Sequence, residues 1–352
     1  IVDEARREGL PYAVGRQRVR ARVVGLLQRQ SEYRTGNSPS DAWLRRMSRV
    51  VPVTRVLDAT WPAVTAESLV VDVLTDPSVA DGILSDVEQQ TLRWTKPPKT
   101  PKSARFSAAD LLLLDEAAGL IERESSFGHV VVDEAQDLSP MQARAIARRS
   151  EHGSITLLGD LAQGTAPWAA PNWRDTLAWL GKPDAAVVPL TIGFRVPEVV
   201  LTLANRLLPA LEVDAPAAVS LRHDGDLAIV PVGSPSDVDA AILVELTAAL
   251  EHEGSVAVIA ADAAVDRVRA HLAAAGIEPG TADDVEAEAR VTVVPATIVK
   301  GLEYDHVIVV EPADIVAAEP RGLNRLYVVL TRAVSRLSVL HAKPLPDPLV
   351  SD

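Results

Sequence analysis

The sequence predicts an α/β protein built on parallel sheets, arranged as two domains behind a mainly helical leading segment. Three observations carry that expectation. Short apolar β-type runs alternate with helix-length segments from residue 129 to residue 341, the pattern of strand-crossover-strand units. One of those runs, His129 to Leu138 (HVVVDEAQDL), ends on two adjacent carboxylates. The chain has 352 residues and is 47% apolar, enough to bury two cores of ordinary size.

The leading segment opens basic. Arg16, Arg18, Arg20, Arg22, Arg29, Arg34, Arg45, Arg46 and Arg49 stand against Glu32 and Asp41. Arginines at every second position do not share one helical stripe, so the block reads as a solvated helical face, with a nucleic-acid or acidic-partner surface as the alternative. Asp58 to Glu88 turns acidic. Arg93 to Arg105 (RWTKPPKTPKSAR) carries prolines and lysines that resist regular structure and mark a boundary or an inserted loop.

Ser107 with Asp110 makes a helix cap, followed by apolar positions from Leu111 to Ile121 and a turn at Gly128. Val130 to Val132 is expected as a buried strand, Pro140 to Arg149 as a helix, and Ile155 to Leu158 as a second strand ending at Gly159-Asp160. This spacing predicts a parallel sheet whose edge collects Asp133, Glu134, Asp160 and Gln163. From Asp226 the alternation repeats. Strands are expected at Leu227 to Val232, Val256 to Ala260, Val291 to Val294 and Val307 to Val310, with helices running to Glu251 and through Leu272. A last helix is expected to carry Arg332, and Leu337 to His341 to close the sheet.

Composition narrows the chemistry. The chain has no cysteine, which excludes disulfides and thiolate metal sites. No apolar run approaches the roughly 20 residues needed to span a bilayer, and Ile1-Val2-Asp3-Glu4 has no signal-peptide pattern. A soluble cytoplasmic protein with no membrane association is expected. A net charge of −13 argues against tight non-specific coating of DNA, because that affinity comes from phosphate neutralisation by Lys and Arg. Any nucleic-acid contact is expected to be local and weak.

The paired carboxylates suggest an NTPase metal site. In open α/β sheets the reacting groups gather at the carboxyl ends of the strands. Mg²⁺ takes oxygen ligands, often one carboxylate plus phosphate oxygens and waters, so Asp133 is the candidate ligand. Glu134, one residue on, is placed to orient or deprotonate the water attacking a γ-phosphate. Two solvated acids at an exposed strand end are the plain alternative.

Further segments follow DEAQD in a fixed order: Leu158 to Gln163 (LGDLAQ), Leu190 to Arg195 (LTIGFR), Val299 to Tyr304 (VKGLEY) and Leu326 to Ala333 (LYVVLTRA). Together they resemble motifs II to VI of superfamily 1 helicases of the UvrD/Rep type, over residues 107 to 341. Within that group the chain is most similar to the HelD family, bacterial RNA polymerase-associated ATPases. The resemblance implies two RecA-like motor domains. Residues 1–92 would be an accessory segment of the first, 93–182 its C-terminal part with motifs II and III, and 183–352 the second domain with motifs IV to VI.

It also implies ATP or GTP with Mg²⁺ in a cleft. Arg195 and Arg332 would then neutralise charge building on the phosphoryl oxygens, a task suited to a planar, always-charged guanidinium. Gln163 would sense the γ-phosphate or its water, Glu303 would accept a hydrogen bond from the ribose, and Lys300 and Gly301 would lie between nucleotide and nucleic acid. The plain alternatives are a helix-terminal arginine at 332, a surface charge at 195 and a simple turn at Gly301.

Three departures from the family pattern matter. No G-x-x-x-x-G-K-[ST] loop is present in the sequence, so the main cradle for the β- and γ-phosphates is missing. The chain is therefore expected to be the C-terminal part of a longer protein and to bind ATP poorly by itself. Around the single-strand track Trp168 survives, but Ala166 and Ala169 replace its neighbours, and Thr297 stands where many UvrD-type enzymes carry His. Base stacking on an aromatic stabilises single-strand binding by about 1 to 3 kcal/mol, so the track is expected to be weakened. The stretch from Arg195 to Lys300 is too short for the large accessory domain of processive UvrD-type enzymes, a feature shared with HelD proteins.

The leading expectation is a fragment of an NTP-driven motor that binds RNA polymerase core and remodels or releases it from nucleic acid, acting as a monomer. The alternative is a DNA-repair helicase translocating on single-stranded DNA. A protein-binding module without catalysis is the third.

Overall fold

A computed structural model describes residues 1–122, 125–281 and 289–350. The chain forms two compact units, one of Ile1–Val130 with Met141–Ile155, the other of Val131–Pro140 with Thr156–Asp352. Among the described residues no helix is long and apolar enough to cross a membrane.

The first unit is led by helices: α1 (Val2–Arg7), α2 (Tyr12–Thr35), α3 (Asp41–Met47), α4 (Val51–Thr60), α5 (Ala66–Thr75), α6 (Asp86–Leu92) and α7 (Ala108–Ile121). Their starts are written in the sequence. Thr65 with Ser68, Ser85 with Glu88 and Ser107 with Asp110 each form a reciprocal capping box that satisfies the orphan amides of a first turn. Ala5, Val19, Val53, Leu57 and Trp61 make one small core. Gly15 is required there, because a Cβ on it would sit 2.5 Å from the Trp61 ring. A second cluster joins Val70, Leu74 and Ala117. The Pro/Lys-rich stretch is anchored against it by Trp94 and Phe106, whose ring centroids are 5.9 Å apart.

β1 (Val130–Val132), α8 (Pro140–Arg148) and β2 (Ile155–Leu157) follow, and β1 and β2 pair as a two-stranded sheet. The expectation of a buried strand at Val130 to Val132 fails in part. Val131 is 62% exposed and Val130 and Val132 are half-buried, because among the described residues β1 has one strand neighbour.

The second unit continues with α9 (Trp173–Trp179), β3 (Ile192–Gly193), α10 (Glu198–Asn205), β4 (Val219–Ser220), β5 (Asp226–Pro231), α11 (Val238–Leu250), β6 (Val256–Ala260), α12 (Val265–Ala274), β7 (Val291–Pro295), β8 (Tyr304–Val310), α13 (Pro312–Ala317), α14 (Gly322–Leu330), β9 (Ala333–His341) and α15 (Asp347–Val350). Five strands pair in the order β5-β9-β8-β6-β7, every neighbouring pair parallel. The short pair β3 and β4 is also parallel.

The five-stranded sheet is covered on both faces, which explains its near-continuous apolar strands. Ala257, Ile259, Val307, Val309, Leu337 and Val339 pack with α10 and α14 on one face. Val256, Val258, Ile308, Val310 and Leu340 pack with α11 and α12 on the other. Successive side chains along β6 and β8 thus alternate between two cores. Burying a single Ile such as Ile259 fully contributes roughly 1.5–3 kcal/mol. The expected α/β class, with parallel sheets behind a helical leading segment, is the class observed.

Two local expectations are corrected. Arg332 is not on the last helix. α14 ends at Leu330: the Arg332 amide bonds to the Val329 carbonyl at 3.2 Å instead of continuing the i−4 ladder, and the Val328 carbonyl accepts from Arg332 Nε at 3.0 Å. The closing strand also starts earlier than Leu337, at Ala333, where β9 already pairs with Tyr304 of β8.

Candidate functional site

The chain leaves β1 into Asp133 and Glu134. Asp133 Oδ1 accepts from the Glu134 amide at 2.8 Å. Glu134 holds a left-handed backbone, φ +54°, which costs a non-glycine residue roughly 1–2 kcal/mol and is the kind of strain found where a side chain must be aimed. A single 3-10 turn over Ala135–Asp137 follows, and the Ala135 amide bonds to the Leu158 carbonyl at 2.9 Å.

Gln136, 1% exposed, joins the two strand ends. Its Nε2 donates to Glu134 Oε2 at 2.6 Å, and its Oε1 accepts from the Asp160 amide at 3.1 Å. The close approach depends on Gly159, since a Cβ there would meet Gln136 Oε1 and the Trp173 ring. Of the four residues expected at this edge, Asp133, Glu134, Asp160 and Gln163, hydrogen bonds through Gln136 link the last three, while Asp133 accepts from the Glu134 amide. Gln163 Nε2 donates to Asp160 Oδ2 at 2.9 Å.

Asp137 is the anchor of the loop. Its Oδ1 accepts from the amides of Thr165 and Ala166, both at 2.9 Å, and its carbonyl accepts from Trp168 Nε1 at 2.8 Å. Its Oδ2 lies 2.5 Å from Lys300 Nζ. Lys300 also stands 3.2 Å from Glu134 Oε2 and donates to the Gln163 carbonyl at 3.1 Å. One ammonium therefore spans the DEAQD turn and the loop that ends at Gln163.

Arg332 enters from the other side of Gln163. Its Nη2 donates to Gln163 Oε1 at 3.0 Å and to the Thr331 hydroxyl at 3.2 Å, its Nε to the Val328 carbonyl at 3.0 Å, and its Nη1 to the Leu302 carbonyl at 3.3 Å. The residue is 2% exposed. Burial, and secondarily the repulsion of Arg195, lowers its pKa, while Glu134, Glu303 and Asp160 hold it up. A guanidinium stays charged under such conditions. Burial also pushes the Tyr327 hydroxyl well above its ordinary value, with the Asp160 charge adding to the effect.

The remaining predicted residues are dispersed around this network. Arg195 is ion-paired with Glu303, both side chains half-exposed, so the carboxylate assigned to a ribose is here engaged by an arginine. Gly301 sits exposed at φ +82°, a turn that requires glycine. Trp168 is 51% exposed and tethered through its indole nitrogen. Thr297 lies apart. Its hydroxyl donates to Asp262 Oδ2 at 2.7 Å, on the wall of a separate cavity of about 160 Å³ that Ile315, Glu319 and Arg325 also line.

Two residues of the network carried no assigned role in the sequence, Gln136 and Asp137. The signal was present, since both lie inside DEAQD, but only the fold shows what they hold. Among the described residues no group of three or more His, Asp or Glu side chains forms a metal cage. Asp133, a single exposed carboxylate, fits a Mg²⁺ that arrives with phosphate oxygens and keeps its waters, and does not fit a cation held by protein alone.

No family model matches the chain. Over 98 residues, 27% of its length, it is 34% identical to proteins named ATP-dependent DNA helicase UvrD2 from Mycobacterium bovis and Mycobacterium tuberculosis. The matched stretch spans 14% of those curated relatives. Among solved structures, a protein described as the C-terminal domain of a possible DNA helicase from Lactobacillus plantarum superposes with TM-score 0.35 at 20% identity, covering 45% of this chain and 92% of that one. Arterivirus nonstructural protein 10, described as a helicase, superposes with TM-score 0.36 at 17% identity, covering 62% of this chain and 40% of that one. In sequence, then, a quarter of this chain is similar to a superfamily 1 helicase of the UvrD type.

Proposed function

We propose that the chain is part of an NTP-hydrolysing motor of the superfamily 1 helicase type, and that its network of Glu134, Gln163, Lys300 and Arg332 belongs to the hydrolytic site. One observation carries this: a buried guanidinium, a nearly buried ammonium and a strained strand-end carboxylate converge on one glutamine and one turn. Such preorganised charges are what phosphoryl transfer needs, because catalysis there is mostly positioning and electrostatic stabilisation.

In this reading Glu134 takes the proton of the attacking water, and Arg332 presents its fork to phosphoryl oxygens in place of Gln163. Arg195 joins it by exchanging its Glu303 partner for phosphate, which leaves Glu303 able to accept from a ribose hydroxyl. Gly301 lets the chain pass close to the nucleotide. Asp133 would hold Mg²⁺, which supplies charge neutralisation on the phosphates when bound.

The finer assignment we propose is a polymerase-remodelling ATPase, using ATP or GTP, with RNA polymerase core as partner. It is supported by the use of the chain between Arg195 and Lys300 for β4 to β7 and their helices, and by the single remaining track aromatic, Trp168. The second reading, a DNA helicase on single strands, is favoured by the 34% identity to UvrD2. NTP hydrolysis by the intact protein, measured with RNA polymerase core or with single-stranded DNA, separates them by which one stimulates. If Glu134→Gln and Arg332→Ala in that protein leave every activity unchanged, both motor readings fail and a binding module remains.

A further inference from the structure

Four hydrogen bonds run in one direction through the strand-end network. Arg332 Nη2 donates to Gln163 Oε1 at 3.0 Å, Gln163 Nε2 to Asp160 Oδ2 at 2.9 Å, the Asp160 amide to Gln136 Oε1 at 3.1 Å, and Gln136 Nε2 to Glu134 Oε2 at 2.6 Å. No member of this series can turn round. A guanidinium and a backbone amide only donate, and an ionised carboxylate only accepts. Each glutamine has one end against a fixed donor and the other against a fixed acceptor, which sets the orientation of both side-chain amides. Hydrogen bonds aligned in this way polarise one another, most of all away from water, and Gln136 is 1% exposed.

The series ends on the candidate base. Glu134 Oε2 takes the Gln136 amide and lies 3.2 Å from the Lys300 ammonium, whereas Glu134 Oε1 has no hydrogen-bond or ion-pair partner among the described residues. One oxygen is pinned by two donors and the other is left to accept a proton. A half-exposed glutamate gives up rotamer freedom to be held like this. Its holder is itself fixed, because Gln136 is buried on the 3-10 turn and Gly159 leaves room for it, where a Cβ would run into Gln136 Oε1.

A plain structural role would be to join the two strand ends. They do not need Gln136 for that, since the Ala135 amide bonds to the Leu158 carbonyl at 2.9 Å and the Leu158 amide to the Val132 carbonyl at 2.8 Å. Nor does a junction between strand ends require a donor aimed at Glu134, a side chain that the core does not cover.

We infer that Gln136 is a positioning residue: it aims Glu134 Oε1 for proton transfer and ties that aim, through Asp160, to the Gln163–Arg332 pair. The inference rests on the hydrolytic reading of this network given above. In that reaction the water oxygen bonds to the γ-phosphorus as the bond to the nucleoside diphosphate breaks, and the water proton passes to Glu134 Oε1. Gln136 touches neither the water nor the nucleotide and acts only through Glu134.

The experiment is steady-state hydrolysis of ATP and GTP with Mg²⁺ by the intact protein, in the presence of RNA polymerase core or single-stranded DNA. Gln136→Met, similar in length but without the amide, should lower kcat about 10- to 100-fold, as misplacing a reacting group does. KM should change by less than about 2-fold, because substrate binding is untouched. The double variant Glu134→Gln, Gln136→Met should be no slower than Glu134→Gln alone, since one residue acts through the other. Gln136→Glu keeps the acceptor for the Asp160 amide and removes only the donor to Glu134. It should show the same loss of kcat, and it carries the test if circular dichroism finds the Met variant unfolded. The inference is overturned, with the hydrolytic reading left standing, if Glu134→Gln stops hydrolysis while the Gln136 variants keep the wild-type kcat, if they raise KM alone, or if the losses at Glu134 and Gln136 multiply. A wild-type protein that hydrolyses neither nucleotide under either condition would overturn the hydrolytic reading and this inference with it.

Discussion

Lys300 Nζ lies 2.5 Å from Asp137 Oδ2, a bond between residues 163 positions apart. It ties the VKGLEY loop to the DEAQD turn and holds the same ammonium 3.2 Å from Glu134. The pair is mostly shielded, with Lys300 at 16% and Asp137 at 25% side-chain exposure. Because Asp137 also accepts two backbone amides, it works as a structural rivet beneath the candidate base.

Asp137→Ala should therefore destabilise the chain by about 2–4 kcal/mol, since it strands two amides and leaves the shielded Lys300 ammonium with only Glu134 and the Gln163 carbonyl. Asp137→Asn keeps an oxygen for the amides and should cost less than half as much. Urea denaturation of the two variants tests this, and equal losses would show that the amides contribute nothing.

Arg332 is the most heavily bonded of the predicted residues. Arg332→Ala removes donors from two backbone carbonyls and from Gln163, and should cost about 2–4 kcal/mol. Arg332→Lys keeps the charge but cannot reach these acceptors at once. In the intact protein both variants should lower NTP hydrolysis by on the order of 10³-fold. A lysine variant with wild-type rate would remove the argument for a fork.

Glu134 offers the opposite separation. Its side chain is half-exposed, and Gln in its place still accepts from Gln136 Nε2. Glu134→Gln should shift stability by no more than about 0.5 kcal/mol while hydrolysis by the intact protein falls at least ~100-fold. Loss of folding together with loss of rate would mean that the carboxylate is structural.

Acid should act on the first unit. Asp115 is held below the ordinary carboxylate range chiefly by its hydrogen bond from Arg149, with Arg148 adding to it, and Glu116 chiefly by Arg144 with Arg148 adding. Partial burial opposes both shifts. Groups with a depressed folded pKa contribute stability that is complete above their unfolded value, about 4, and is lost as pH falls below it. The urea midpoint followed by helical circular dichroism should fall between about pH 5 and pH 3, and the double variant Asp115→Asn, Glu116→Gln should flatten that fall. An unchanged slope would assign the acid sensitivity to other carboxylates.

Much of this molecule was legible in its sequence because the deciding forces are local. Apolar runs of strand length alternating with helix-length segments specify a doubly covered parallel sheet, and Ser107 with Asp110 specifies a helix start, each through interactions within a few residues. The strand-end carboxylates followed from the same pattern. Val131 was misjudged because burial depends on what covers a strand, not on its own apolarity. Arg332 was placed on a helix because periodicity continues through it, whereas its amide turns to the Val329 carbonyl and the helix stops at Leu330.

The strand and helix pattern determined the fold class and pointed to Asp133 and Glu134, while the resemblance to UvrD/Rep-type motifs marked Gln163 and Arg332 as groups to watch. Only the tertiary structure decided that Asp137 anchors Lys300, that Gln136 joins two strand ends, and that Arg16, Arg18 and Arg22 of the basic block are ion-paired while Arg45, Arg46 and Arg49 find no carboxylate among the described residues. The physical reason is range: propensity and capping act over three or four residues, but a charge finds its partner, or fails to find one, only where the folded chain brings distant segments within a few ångströms.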